Sequence, residues 1–151
     1  MNNERKWILR GGRVLNPAPF CLIGIVNVTP DSFSDGGKYI DPRNAVAHGL
    51  RLLDEGAGML DLGAESTRPF AEPVPEGEEI ARLMPVVARL REQRPDAVLS
   101  VDTLKAGTAR AALEGGADII NDVSACVADP ALLDVLAEYK PGYVLMHSQG
   151  S

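Results

Sequence analysis

Five short apolar runs in this chain each finish on, or carry near their ends, a polar side chain able to hydrogen-bond a ligand. They are Cys21 to Val26 before Asn27, Met59 to Leu62 around Asp61, Val98 to Val101 before Asp102, Asp118 to Ile120 before Asn121, and Tyr143 to Met146 before His147. One polar side chain per run suits binding into a shared cavity. Nothing pairs His147 with a nucleophile, so it receives no catalytic role. The run before Asn27 passes directly into Val28-Thr29-Pro30-Asp31-Ser32-Phe33-Ser34-Asp35-Gly36-Gly37. Pro30 stops a strand, and the serines, aspartates and paired glycines favour a solvated segment. A polar loop carrying one exposed Phe33 suits a cover over a ligand; an ordinary connection is the competing reading. Taken singly, a strand-end Asp is as often structural, and a strand-end Asn more often forms a turn.

The elements that must position these groups follow from periodicity. Short unbroken apolar runs with β-branched members fit parallel strands buried on both faces. Between them, helical patterns cover about Pro42 to Glu55, Pro75 to Arg94, Leu104 to Glu114 and Pro130 to Tyr139. In the second, Ile80, Leu83, Met84, Val87 and Leu90 form one apolar stripe, with Pro85 expected to kink it. Asp41-Pro42 and Asp129-Pro130 each put a capping acid before a first-turn proline, and Gly56 and Gly115 stand where left-handed C-caps are wanted. Gly56-Ala57-Gly58-Met59-Leu60-Asp61 and Gly116-Ala117-Asp118-Ile119-Ile120-Asn121 repeat one another in form. At the start, Ile8 to Arg10 and Arg13 to Leu15 flank Gly11-Gly12, which reads as a small hairpin with a two-residue turn. His48 reads as a solvated group on a polar helix face, and Lys105 as a surface group at a helix start.

Composition is that of an ordinary globular domain, 24% charged and 45% hydrophobic, and a net charge of −6 argues against a nucleic-acid surface. Small anionic ligands stay open, since helix N-termini and local cations can hold them. No signal-peptide pattern or membrane-spanning run occurs, so a soluble cytoplasmic protein is expected. Cys21 and Cys126 read as two structural thiols rather than a disulfide or metal site. Alternating strands and helices leave a doubly wound sheet or a barrel. The first connection lacks a dinucleotide glycine fingerprint, and polar groups at every strand end favour the barrel. The expected fold class is therefore α/β, a partial (β/α)8 TIM barrel of about five parallel strands and four helices, preceded by a small N-terminal β-hairpin. It reads as a single incomplete domain over residues 1–151, with the hairpin at 5–16 and the β/α strands over 20–147. A complete barrel takes roughly 250 residues.

The segments Asn27 to Gly37, Gly63-Ala64-Glu65-Ser66-Thr67-Arg68-Pro69, Ser100-Val101-Asp102-Thr103 and Ile119-Ile120-Asn121-Asp122 strongly resemble the dihydropteroate synthases of the pterin-binding barrel family, corresponding to their amino-terminal half. The resemblance implies a folate-pathway transferase that condenses 6-hydroxymethyl-7,8-dihydropterin pyrophosphate with p-aminobenzoate, releasing pyrophosphate and making 7,8-dihydropteroate. By the same resemblance, Asn27 would hold Mg2+, while Asp102 and Asn121 would hydrogen-bond the pterin and Met146 pack on its face. Thr67 and Arg68 would serve the pyrophosphate. Phe33, Ser66 and Pro69 would build the p-aminobenzoate pocket, where sulfonamides also bind, and Asp35 would stabilise a cationic intermediate. Asp61 is expected to brace the loop from Gly63 to Pro69. Phe70 departs from the glycine frequent in the family at that position. Another aspartate, a lysine and an Arg-x-His pair of the family have no match here, so the chain alone is expected to be nearly inactive. Its unpaired sheet edges imply a homo-oligomer. A silent pterin binder, a methyltetrahydrofolate methyl-transfer domain and a self-associating structural fragment stand as alternatives.

Overall fold

A computed structural model describes residues 6–29, 41–65 and 72–147. A small antiparallel pair, β1 (Trp7–Ile8) and β2 (Val14–Leu15), comes first. Five parallel strands follow: β3 (Ile23–Asn27), β4 (Met59–Gly63), β5 (Leu99–Asp102), β6 (Ile119–Asp122) and β7 (Gly142–Leu145). They pair in chain order, β3-β4-β5-β6-β7. Between them run helices α1 (Pro42–Asp54), α2 (Glu76–Gln93), α3 (Ala106–Glu114) and α4 (Leu132–Tyr139). Parallel neighbours need such crossovers. Each helix packs on the next, α1 on α2, α2 on α3 and α3 on α4, so all four cover one face of the sheet. This is the strand and helix order of a barrel wall, as expected from the sequence.

Side-chain alternation sorts the sheet into two faces. Val26, Leu60, Leu62, Leu99, Val101 and Ile120 point at the helices and are completely buried against residues such as Leu83, Val87, Leu90 and Leu113. Full burial of each such side chain contributes roughly 1.5–3 kcal/mol. Gly24 permits the close approach of α1, since an added Cβ would meet Leu60 and Leu52 at 2.8 and 3.0 Å. Helix α2 buries Leu83, Val86, Val87 and Leu90 and runs unbroken through Pro85. It also buries Glu79, which the apolar stripe did not include.

The hairpin closes the lower end of the opposite face. Leu9 and Leu15 pack with Met59, Val98 and Ile119, flanked by Trp7 and Cys21. Arg13 and Arg91 reach Asp118 at 3.0 and 2.9 Å, and Arg10 donates to the Leu113 carbonyl. These tertiary contacts change the expected turn. Ile8 pairs with Val14, so five residues, Leu9 to Arg13, make the reversal instead of two. Gly11 and Gly12 nevertheless take the positive φ expected of them, +70° and +79°.

Asp41 caps α1 as expected, accepting from the Arg43 amide at 2.9 Å. The cap expected at Gly115 falls one residue later. Gly115 keeps helical φ because its amide still closes on Ala111, and Gly116 makes the reversal at φ +102°. Glu55 and Gly56 do the same, with Gly56 at +108°. The repeat in the sequence thus marks two equivalent helix-to-strand joints.

Gly142 packs directly against the hairpin's apolar plug, where an added Cβ would meet Leu9, Ile119 and Trp7 at 2.7, 2.8 and 3.0 Å. Gly142→Val is therefore expected to cost about 1–3 kcal/mol of unfolding free energy by overpacking. Urea denaturation followed by emission of Trp7, the one tryptophan, reads this as a lower midpoint and a red-shifted native spectrum.

Candidate functional site

The open face is layered by register. Its upper row is Asn27, Gly63, Asp102, Asn121 and Val144, each paired with the next. The row beneath is Ile25, Asp61, Ser100, Ile119 and Gly142. The apolar plug lies below both. Polar groups therefore gather at the carboxyl ends of the strands, where barrel enzymes hold their sites. Asn27, Asp102 and Asn121 stand on this rim together, and alternation puts Met146, 43% exposed, on the same face.

Asp61 is the keystone of the lower row. Its carboxylate accepts from Ser100 Oγ at 2.7 Å and from Asn121 Nδ2 at 2.9 Å. Asn121 is thereby fixed from below with its amide oxygen left to accept from a ligand. Most of the loop that Asp61 was expected to brace, Gly63 to Pro69, lies outside the described residues. Ser100 appears in the sequence only as part of the Ser100-Val101-Asp102-Thr103 segment, without a role, although its spacing of two from Asp102 marks it as a same-face neighbour.

Asp102 differs from its neighbours. No donor among the described residues reaches its carboxylate, which lies beside Gly63, within 3.8 Å of where a Cβ there would stand. Burial, followed by the negative charges of Asp61, Glu79, Glu65 and Asp122, raises its pKa from 3.8 to about 6. A half-buried acid short of donors is ready to receive N–H groups from a ligand.

On the helical side of β6, Asp122 is a structural counterpart. It is fully buried, yet accepts from the Ser124 amide and hydroxyl, the Cys126 amide and the Tyr143 hydroxyl. Burial opposes its charge, but these bonds outweigh burial and lower its pKa. Cys21 and Cys126 are both free thiols, as expected. His48 meets Arg51 at 2.9 Å, and His147 is exposed. Lys105 stands at the start of α3 as expected, but it is only partly exposed and is engaged: its Nζ lies 2.7 Å from Glu65 and 2.8 Å from Glu79.

Phe33, Asp35, Ser66, Thr67, Arg68 and Pro69 lie outside the described residues. Among the described residues no group of three or more His, Cys, Asp or Glu side chains is placed to hold a metal. Asn27 offers a single exposed amide oxygen at the rim. That donor suits Mg2+, which commonly takes one or two protein oxygens and completes its shell with water and substrate phosphate. No helix of the described residues is long and apolar enough to cross a membrane. A groove of about 200 Å³ between α1 and α2, lined by Arg43, Val46, Leu50 and Arg89, lies on the helical side, away from the polar rim.

The sequence pattern of the pterin binding enzymes matches residues 23–151, the whole parallel sheet with its rim. The chain belongs to that family. Among the family's curated members, dihydropteroate synthase of Mycobacterium leprae is 50% identical over 130 residues, 86% of this chain and 45% of its own length. The Bacillus subtilis enzyme is 47% identical over 128 residues, 85% of this chain and 45% of its own. Dihydropteroate synthase of Xanthomonas albilineans, solved with 4-aminobenzoic acid, superposes with a TM-score of 0.84 at 50% identity, covering 95% of this chain and 52% of that one. The same enzyme with 7,8-dihydropteroate gives 0.77 at 47% identity, covering 92% and 50%. The chain thus spans about half the length of the relatives it matches. Those relatives' folds are TIM barrels, and the five strands here form part of that wall.

Asp102 binds its proton more tightly folded than unfolded. Its contribution to stability is therefore full below the unfolded value of 3.8 and is lost as pH rises through about 6. Asp102→Asn is expected to flatten that part of the pH profile. Above pH 7 it should stabilise the fold by on the order of 1 kcal/mol, because a partly buried charge among like charges is removed. Urea titrations from pH 4 to 8 measure both; an unchanged slope would contradict the assignment.

Proposed function

We propose that this chain supplies the pterin-facing part of a dihydropteroate synthase site, in which p-aminobenzoate displaces pyrophosphate from 6-hydroxymethyl-7,8-dihydropterin pyrophosphate. The observation that carries this reading is the in-register rim of Asn27, Asp102 and Asn121 on the open face of a parallel sheet. A flat heterocycle rich in N–H donors needs fixed acceptors. Asp102 has no competing donor among the described residues, and Asn121 is held by Asp61 with its oxygen free. Met146 would cover the ring's face. The relatives' complexes with 4-aminobenzoic acid and 7,8-dihydropteroate support the same ligand class here.

Asn27 would hold Mg2+ with the substrate's pyrophosphate. Bound there, the ion supplies charge neutralisation to the departing phosphates. By family resemblance we assign Thr67 and Arg68 to the pyrophosphate and Asp35 to the positive charge developing on the pterin methylene. Phe33, Ser66 and Pro69 we assign to p-aminobenzoate and to the sulfonamides that mimic it. The complete reaction is proposed for a site of full family length, to which this chain contributes about half; turnover by the chain alone is proposed to be very slow. Two free thiols support a reducing, cytoplasmic location.

The chain is also proposed to self-associate. Among the described residues, strands β3 and β7 each have one partner, and Ile23, Ile25 and Val144 on the open face are 54%, 62% and 37% exposed. Free edges beside an apolar face favour pairing with a second copy. Light scattering is expected to show more than 16.1 kDa; a well-behaved monomer would contradict it.

Calorimetry with 6-hydroxymethyl-7,8-dihydropterin tests the function. Asp102→Ala and Asn121→Ala are each expected to cost about 1–3 kcal/mol, roughly 5- to 150-fold in affinity, because ring donors lose their acceptors. Full-strength binding by both variants would overturn the reading. Pterin binding without turnover, even at full family length, would favour the non-catalytic binder.

A further inference from the structure

Beside the rim lies a charged cluster that none of the roles above uses. Glu79, on the first turn of α2, is 1% exposed. Its Oε2 accepts from Thr108 Oγ1 at 3.1 Å and faces Lys105 Nζ at 2.8 Å. The same ammonium donates to Glu65 Oε2 at 2.7 Å. Arg82, one turn along α2 from Glu79, donates to the Ala64 carbonyl at 3.0 Å. Ala64 and Glu65 are the two residues by which the chain leaves β4, so both are gripped from the helical layer. The grip joins three elements: the end of β4, α2, and the start of α3.

Two carboxylates share one ammonium, and that ammonium's residue, Lys105, lies three residues beyond Asp102. We propose that Lys105 is a positioning residue for the rim: it ties Glu65 to the buried Glu79, fixes the exit of β4 beside Asp102, and offsets the negative charge those two acids present to Asp102. Functional relevance rests on the pterin reading; the electrostatic coupling does not.

Burial and charge at Lys105 and Asp102 agree with this geometry. Burial works against the Lys105 ammonium, but its bonds to Glu65 and Glu79 outweigh burial and raise its pKa. The charges acting on Asp102 come from Asp61 of β4, Glu79 of α2, Glu65 after β4 and Asp122 of β6. Lys105 is the cation set among two of them. The whole of β4 stands between Asp102 and Asn27, so the proposed magnesium ligand is not part of this cluster.

Opposite signs make the proposal testable on the protein without ligand. Carbon-detected NMR of the Asp102 carboxylate gives its titration midpoint. Lys105→Met is expected to raise that midpoint by roughly half a pH unit, since two acids lose their counter-charge. Lys105→Arg is expected to restore it. Glu65→Gln, at a partly exposed position that should fold normally, is expected to lower it by a similar amount. Hydrogen exchange in Lys105→Met is expected to rise at Ala64 and Glu65 while the hairpin and β6 keep their rates. A merely structural role would lower the unfolding midpoint and speed exchange throughout, leaving the Asp102 midpoint fixed; that result would overturn the proposal. Should the wild-type protein bind no pterin while the midpoints move as stated, the functional reading fails and the positioning role stands.

Discussion

Parallel pairing without a slip is the constraint on which the site depends. Because side chains alternate strictly along a strand, a shift of one residue in any of the four ladders would send that strand's polar terminus to the helical face. Asn27, Asp102 and Asn121 share a rim only because Asn27 meets Gly63, Gly63 meets Asp102 and Asp102 meets Asn121. The helical face enforces this register. Leu60, Leu62, Leu99, Val101 and Ile120 are wholly buried there, and moving any of them to the open side would forfeit that burial.

Packing and the proposed function use different residues of the same strands. One set is apolar and interlocked with α1 to α4. The other grades upward from the hairpin plug, through the bonded layer of Asp61 and Ser100, to the acceptors of the rim. Asp102 and Asp122 show the division most clearly. Asp122 has its charge satisfied by four donors and organises the loop after β6. Asp102 carries a raised pKa and destabilises the empty fold at neutral pH. A binding surface needs its acceptors unspent, and the apolar layer behind supplies the stability that this demands.

Much of this was legible from residue order. Short apolar runs ending on Asn27, Asp102 and Asn121 marked the strands and the direction of the site, and the caps at Asp41 and Gly56 marked the joints. The misses have a common physical origin in contacts between segments distant in the chain. The hairpin turn widened because Arg10, Arg13 and Leu9 bind partners about a hundred residues away. Glu79 stood outside the apolar stripe with no role, and Lys105 read as a surface group, since nothing local reveals that they face one another. The role of Asp61 likewise needed Ser100 and Asn121 from two other strands. The left-handed reversal at Gly116 was within reach, because the repeat with Gly56 already aligned the two joints.

The claim that a strand-end rim recognises a pterin is tested most directly by adding 6-hydroxymethyl-7,8-dihydropterin to isotopically labelled protein and mapping shifts by NMR. The account predicts the largest changes at the Asn121 side-chain amide, the Asp102 carboxylate and the Met146 methyl, with the α1–α2 groove unmoved. Shifts concentrated on that groove, or none at the rim, would contradict it.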